Sequence, residues 1–176
     1  MPAVTADIRH PARLRMDGMP ISRDQLLQGP DRSQRPQDRV ATTAFAAGGL
    51  LLVCSAFIHF HLWGGAGDDR AIPTIGPLFL LQSIAGPVIG VGVVAVRRLW
   101  AAAVGIAFSL LTVAGFLLSV ARGLFGFKDS WLAPFAKEAF TIEVMAAAVL
   151  MLAAGLCLLG SVPDARPGST PAGTAT

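Results

Sequence analysis

Two imidazoles and one carboxylate stand out for where they lie. The stretch "FIHFHLWGGAGDDR", Phe57 to Arg70, closes an uncharged apolar run with His59 and His61, and Glu143 stands inside a second apolar run, "FTIEVMAAAVL". Histidine and carboxylate together exchange protons, hydrogen-bond small molecules and ligate divalent metals. The H-x-H spacing cannot act as a helical chelate, because residues two apart on a helix point about 200° away from each other. His59 is therefore expected to face inward, and His61 to face lipid headgroups or a loop. Gln82, Ser119 and Arg122 are the other polar residues expected near the same depth, which makes His59, Glu143, Gln82, Ser119 and Arg122 the candidate polar site. Around its mouth the sequence places His61, Asp68, Asp69, Arg70, Lys128 and Asp129. Three well-placed metal ligands cannot be assembled from these residues, and histidine on a single helix disfavours bis-histidine haem within one subunit, so no metal and no cofactor are expected. No Gly-rich phosphate loop, G-x-S-x-G elbow, H-E-x-x-H or reactive-cysteine motif occurs, so the sequence leans away from an enzyme.

The elements that must position these groups are written in the composition. With 53% hydrophobic residues, 14% charged and a mean hydropathy of +0.61, the chain of 176 residues is too apolar for a soluble domain of its length. Four apolar runs, Ala41–Trp63, Ile75–Val96, Leu99–Ala121 and about Pro134–Gly160, each reach the roughly 20 residues a spanning helix needs. The fold class expected is all-α: a four-helix transmembrane bundle over 41–160, flanked by disordered tails at 1–40 and 161–176. The first 39 residues carry seven Arg and five Asp with few large apolar side chains, too little to offset the entropy of ordering. The Pro/Gly/Ser/Thr-rich C-terminus reads the same way. Ten of the fourteen Lys and Arg fall in the two tails and the Arg97-Arg98 turn, which predicts a multi-pass cell-membrane protein with both termini cytoplasmic. The pI near 9.5 follows from that topological charge, and no nucleic-acid partner is expected. Cys54 and Cys157 show no disulfide or zinc spacing and read as small packing residues.

At 100° per residue, Ala44, Gly48, Leu51/Leu52, Ser55 and His59 share one face of the first helix, and Ala139, Glu143, Ala146/Ala147, Leu150, Ala154 and Cys157 share one face of the fourth. A mid-helix acid costs about 2.5–3.5 kcal/mol on insertion scales, so Glu143 is expected inside the bundle, meeting His59 directly or through one water. Small residues at four-residue spacing, Ala44/Gly48, Gly86/Gly90, Ala101/Gly105/Ser109 and Gly115/Ser119/Gly123, predict close helix approaches. Pro87 predicts a kink in the second helix, since its ring removes a bond to Ser83. The segment "ARGLFGFKDSWLAPFAKEAF" is too apolar for a solvated loop and is expected to lie in the interface or fold back over the bundle. The polar groups thus gather in the outer half, while the inner half holds little beyond Cys157 and small residues.

The segments "HLWGGAGDDRAIPTIGPLFLLQ" and "GLFGFKDSW…E" resemble those of uncharacterised small four-helix integral membrane proteins of an actinobacterial type, over roughly Ala41 to Gly160. The four-span arrangement is also similar to that of DoxX-like membrane proteins. The resemblance implies a four-span membrane fold and no particular activity. Three functions fit the residues. The first is an accessory or interaction subunit whose polar layer satisfies itself while the chain docks, beyond the lipid bilayer, to a larger membrane complex or a second copy. The second is an outward-facing site for a small molecule, a quinone headgroup or a metal at His59 and Glu143. The third is a small proton-coupled transporter, for which a nearly featureless inner half offers no obvious second gate.

Overall fold

The computed structural model describes Arg23, Leu27 and residues 36–65 and 69–160. The tails expected to be disordered lie outside the described residues, apart from Arg23, Leu27 and the opening of the first helix at Pro36–Val40, and so does Asp68. Among the described residues four long helices make up the fold, α1 (Pro36–Gly64), α2 (Ile75–Val96), α3 (Leu99–Arg122) and α4 (Ala136–Gly160), with a 3-10 turn at Asp69–Ala71 between α1 and α2. All four are long and apolar enough to cross a membrane. The all-α four-helix bundle expected from the apolar runs is the observed fold.

Local chemistry sets the boundaries. α1 begins five residues before its apolar run, at Pro36, whose fixed φ and missing N–H suit a first helical position, and Asp38 in the first turn opposes the helix dipole favourably. α2 is entered through a three-residue turn in which the Ile75 N–H donates to the Pro73 carbonyl (2.8 Å) across Thr74, held at φ 70° and ψ −44°. That is a γ-turn of the strained hand, and a β-branched residue is an uncommon occupant. α2 runs unbroken through Pro87 and ends on Arg97 in the left-handed region (φ 48°), after which Arg98 is extended and α3 starts at once. This two-residue turn points α3 back along α2. On the same side the Arg98 guanidinium donates to the Leu27 carbonyl at 2.7 Å.

Around the bundle the packing order is α2, α1, α4, α3: α1 lies extensively against α2 and α4, α3 rests chiefly on α4, and α2 and α3 meet only sparingly. Glycine explains the tightest crossing. A Cβ on Gly49 would stand 2.6 Å from the Gly90 carbonyl oxygen, and one on Gly90 would stand 2.6 Å from that of Gly49, so α1 and α2 cross backbone to backbone. Leu150 of α4 sits between Gly48 of α1 and Gly105 of α3, within 2.5 and 2.6 Å of where their side chains would begin. Phe45, Leu52, Val93 and Leu150, all fully buried, fill the half of the bundle nearer the chain ends. Cys157 is buried there too, whereas Cys54 faces outward and is no packing residue of the core. Gly115 departs from the small-residue stripe expected of it, with nothing within 4 Å of a Cβ placed there.

At the opposite end the α3–α4 connection folds back over the helices. Leu124 and Phe127 exchange backbone hydrogen bonds around Phe125 and Gly126, both at positive φ (53° and 80°), as a two-residue hairpin turn requires. Trp131 then stacks edge-on against Phe116 of α3 (4.8 Å) and Phe140 of α4 (5.1 Å).

Candidate functional site

Roughly 8–20 Å below that loop end, at 1.5 Å per residue, every helix sends a polar side chain into one layer: Ser55 and His59 from α1, Gln82 from α2, Ser109 and Thr112 from α3, and Glu143 from α4. Glu143 is the centre, with 1% of its surface exposed. Its Oε1 accepts the Ser55 hydroxyl and, at 3.1 Å, the Gln82 amide. The same amide nitrogen donates to the Thr112 hydroxyl at 2.9 Å, and Thr112 passes its own proton to the Phe108 carbonyl at 3.1 Å. Only the nitrogen of a glutamine amide donates, so the carboxylate and the threonine oxygen together fix which way Gln82 points.

His59 and Glu143 belong to one network, but not in the way the residue types suggest. The imidazole Nδ1 lies 2.9 Å from the Ser55 carbonyl and 3.4 Å from the Ser55 hydroxyl oxygen. A carbonyl only accepts, so Nδ1 carries a proton and donates, and the Ser55 hydroxyl hands the contact on to Glu143. Where a direct or water-bridged pair was expected, the two side chains share Ser55: its hydroxyl donates to Glu143 Oε1, while the Nδ1 proton of His59 goes to the Ser55 carbonyl. The other side of the His59 ring meets the edge of Phe79 at 5.3 Å.

The layer is not satisfied from within. Glu143 Oε2 and the Ser109 hydroxyl are both buried without a hydrogen bond of full geometry, and Ser109 stands close enough beside the carboxylate to donate to it. Gln82 makes its bonds through nitrogen alone, and among the described residues its carbonyl oxygen has no partner. The hydrogen-bonding partners of Glu143 are a hydroxyl and an amide, both neutral, and among the described residues no three His, Cys, Asp or Glu side chains gather as a metal site would require.

Two of the five candidate residues fall outside this layer. Ser119 lies two turns beyond Thr112, about 10 Å nearer the loop end, where its hydroxyl donates to the Phe127 carbonyl (3.4 Å) and accepts from the Asp129 N–H (3.1 Å). It pins the hairpin loop. Arg122 is exposed at the last turn of α3, where its guanidinium has no reason to cross the bundle to a carboxylate two turns deeper. Of the mouth residues, His61 packs edge-on against Phe135 of the folded loop (5.3 Å), Asp129 caps its own turn by accepting from Ser130 (2.7 Å), and Arg70 and Lys128 are exposed, with Asp69 half-buried. They line the loop end without touching Glu143. Ser55, Thr112 and Ser109 were absent from the candidate site, although Ser55 and Ser109 stand on the very stripes that carry His59 and Gly105; a serine in an Ala/Gly-rich face reads as a packing residue.

No family model, curated protein or solved structure matches this chain. Function therefore has to come from the layer itself, since a four-helix bundle supports many unrelated activities.

Proposed function

We propose that this chain is a multi-pass protein of the cell membrane, with both termini cytoplasmic, that holds a small molecule at Glu143. One observation carries the reading: the carboxylate of Glu143 is buried in the core with only neutral partners, and the Gln82 carbonyl oxygen in the same layer makes no bond among the described residues. A polar layer that served only to set helix register would use its donors and acceptors on itself, because an unmade bond in an apolar interior costs about 1–3 kcal/mol. Here the Gln82 carbonyl oxygen is left over beside a buried carboxylate, which suits a ligand that donates to them. Transport is the less favoured reading, because Leu52, Val93 and Leu150 fill the core beyond the layer without a polar step.

The test is mass spectrometry of protein purified in mild detergent. Wild type is expected to retain one small molecule per chain, and Gln82→Leu and Glu143→Leu, each checked for intact helicity and a monodisperse elution, are expected to lose it. Wild type that carries no such molecule, or variants that keep it, would overturn the reading.

The accessory-subunit reading draws on a different observation, the apolar side chains that the folded loop turns outward: Leu132 is 87% exposed and Phe125 64%. Native electrophoresis separates the two readings, since Leu132→Glu would dissociate a larger assembly without affecting a ligand at Glu143.

A further inference from the structure

The layer is closed on two sides. Toward the chain ends lie Phe45, Leu52, Val93 and Leu150, and toward the loop end the ring pairs His59–Phe79 and His61–Phe135 and the Trp131 cluster lie over it. Between α2 and α3 it is different. These helices are joined by only two residues yet pack least among neighbours, and Gln82 and Thr112, which bridge them, are both half-buried. Here the polar layer reaches the lateral surface of the bundle, about 10–15 Å below the helix ends, at a depth where the surroundings are hydrocarbon. The carbonyl oxygen of Gln82 makes no bond at this place, and directly behind it Glu143 accepts from the same amide. An amide oxygen left without a partner at such depth is costly unless something other than lipid chains meets it.

We infer that the layer is reached sideways from the hydrocarbon, between α2 and α3 at Gln82 and Thr112, by a neutral lipophile whose head carries a hydroxyl group. The inference rests on the reading of Glu143 as a ligand site and adds its route and its ligand class. The unmade bonds choose the head. Glu143 Oε2 and the Gln82 carbonyl oxygen offer acceptors to a hydroxyl proton. An anionic head is disfavoured, because the groups bonded to the carboxylate are neutral and Arg122 stands exposed at the helix end. A cation is disfavoured by the missing third ligand. The half-buried ring of Phe108, one turn from Thr112 on the same side of α3, suits an apolar body.

The full chain in phosphatidylcholine vesicles provides the test, read as carbodiimide adducts at Glu143 by peptide mass spectrometry. Dicyclohexylcarbodiimide, which dissolves in the hydrocarbon, is expected to modify Glu143, whereas a water-soluble cationic carbodiimide is expected to modify the exposed Glu138 and leave Glu143 untouched. Hexadecanol at ten times its dissociation constant should reduce the Glu143 adduct about tenfold, by simple occupancy, while hexadecane and palmitate leave it unchanged. Modification of Glu143 by the water-soluble reagent alone, or by neither reagent, would overturn the lateral route. Protection by palmitate equal to that by hexadecanol, or none by hexadecanol, would overturn the ligand class. Both results are separable from failure of the site itself, which is decided by the molecule retained on purification, whatever its path.

Discussion

Replacing Glu143 tests the layer most directly, because two substitutions of similar size part company there. In Glu143→Leu the Ser55 hydroxyl and one N–H of Gln82 lose their shared acceptor. Interhelical hydrogen bonds inside membrane proteins average about 0.6 kcal/mol and reach about 1.7, so losing two costs about 1–3 kcal/mol. In Glu143→Gln a carbonyl oxygen remains for both donors, and the new amide can donate to the Ser109 hydroxyl. Its cost should stay within about 1 kcal/mol of zero. Unfolding by dodecyl sulfate titration in bicelles, followed by far-ultraviolet circular dichroism, should rank wild type and Glu143→Gln together above Glu143→Leu. The serine link supplies a second check: Ser55→Ala should destabilise wild type and have much less effect once Glu143 is leucine, as contacting residues in a double-mutant cycle do. Glu143→Leu as stable as Glu143→Gln, or strictly additive effects of Ser55→Ala and Glu143→Leu, would refute the network.

Three further outcomes follow from geometry. Gly90→Ala should cost about 1–3 kcal/mol in the same titration because its Cβ would meet the Gly49 carbonyl at 2.6 Å, whereas Gly115→Ala, with open space around it, should be neutral or stabilising by about 0.5–1 kcal/mol. Thr74→Gly should raise stability by up to about 1 kcal/mol, since glycine takes φ 70° without a Cβ penalty, and an unchanged or lower stability would show that the turn is unstrained. Cysteine accessibility should place Asp69→Cys and Asp129→Cys outside and Arg98→Cys inside, and labelling of Arg98→Cys by an impermeant maleimide applied from outside would reverse the proposed topology.

The span positions and their inward faces were readable because both rest on simple sums: hydropathy over about 20 residues, and a 100° rotation that gathers Ala44, Gly48, Leu52, Ser55 and His59 on one side, all buried in the structure. Glu143 was conspicuous for its insertion cost, and it is buried as that cost demands. The bonds themselves were not readable. Which helix faces which is decided by the three-dimensional packing order, so Thr112 gave no sign that it would meet Gln82, and the serine between His59 and Glu143 looked like one more small residue. Ser119, expected at or just above the layer, serves the loop instead, because depth along a helix says nothing of a hairpin that folds down to claim its hydroxyl. The positive φ of Thr74 left no trace in sequence either, since a β-branched residue is the last one expected there.

The uneven packing around the ring has a bearing on how the chain is made. Helices enter a membrane in order of synthesis, and the first two can settle at once through the Gly49–Gly90 crossing. The third then has little to hold: it barely engages α2, and its main contact surface belongs to α4, which has not yet been translated. α3 must wait. Ser55 and Gln82 wait with it, short of their common acceptor, until α4 carries Glu143 between them and brings Leu150 into the gap lined by Gly48 and Gly105. Assembly is thus completed by its C-terminal helix, and a chain cut short before Ala136 would present α3 to the lipid, and to the quality-control machinery, as a helix without a partner.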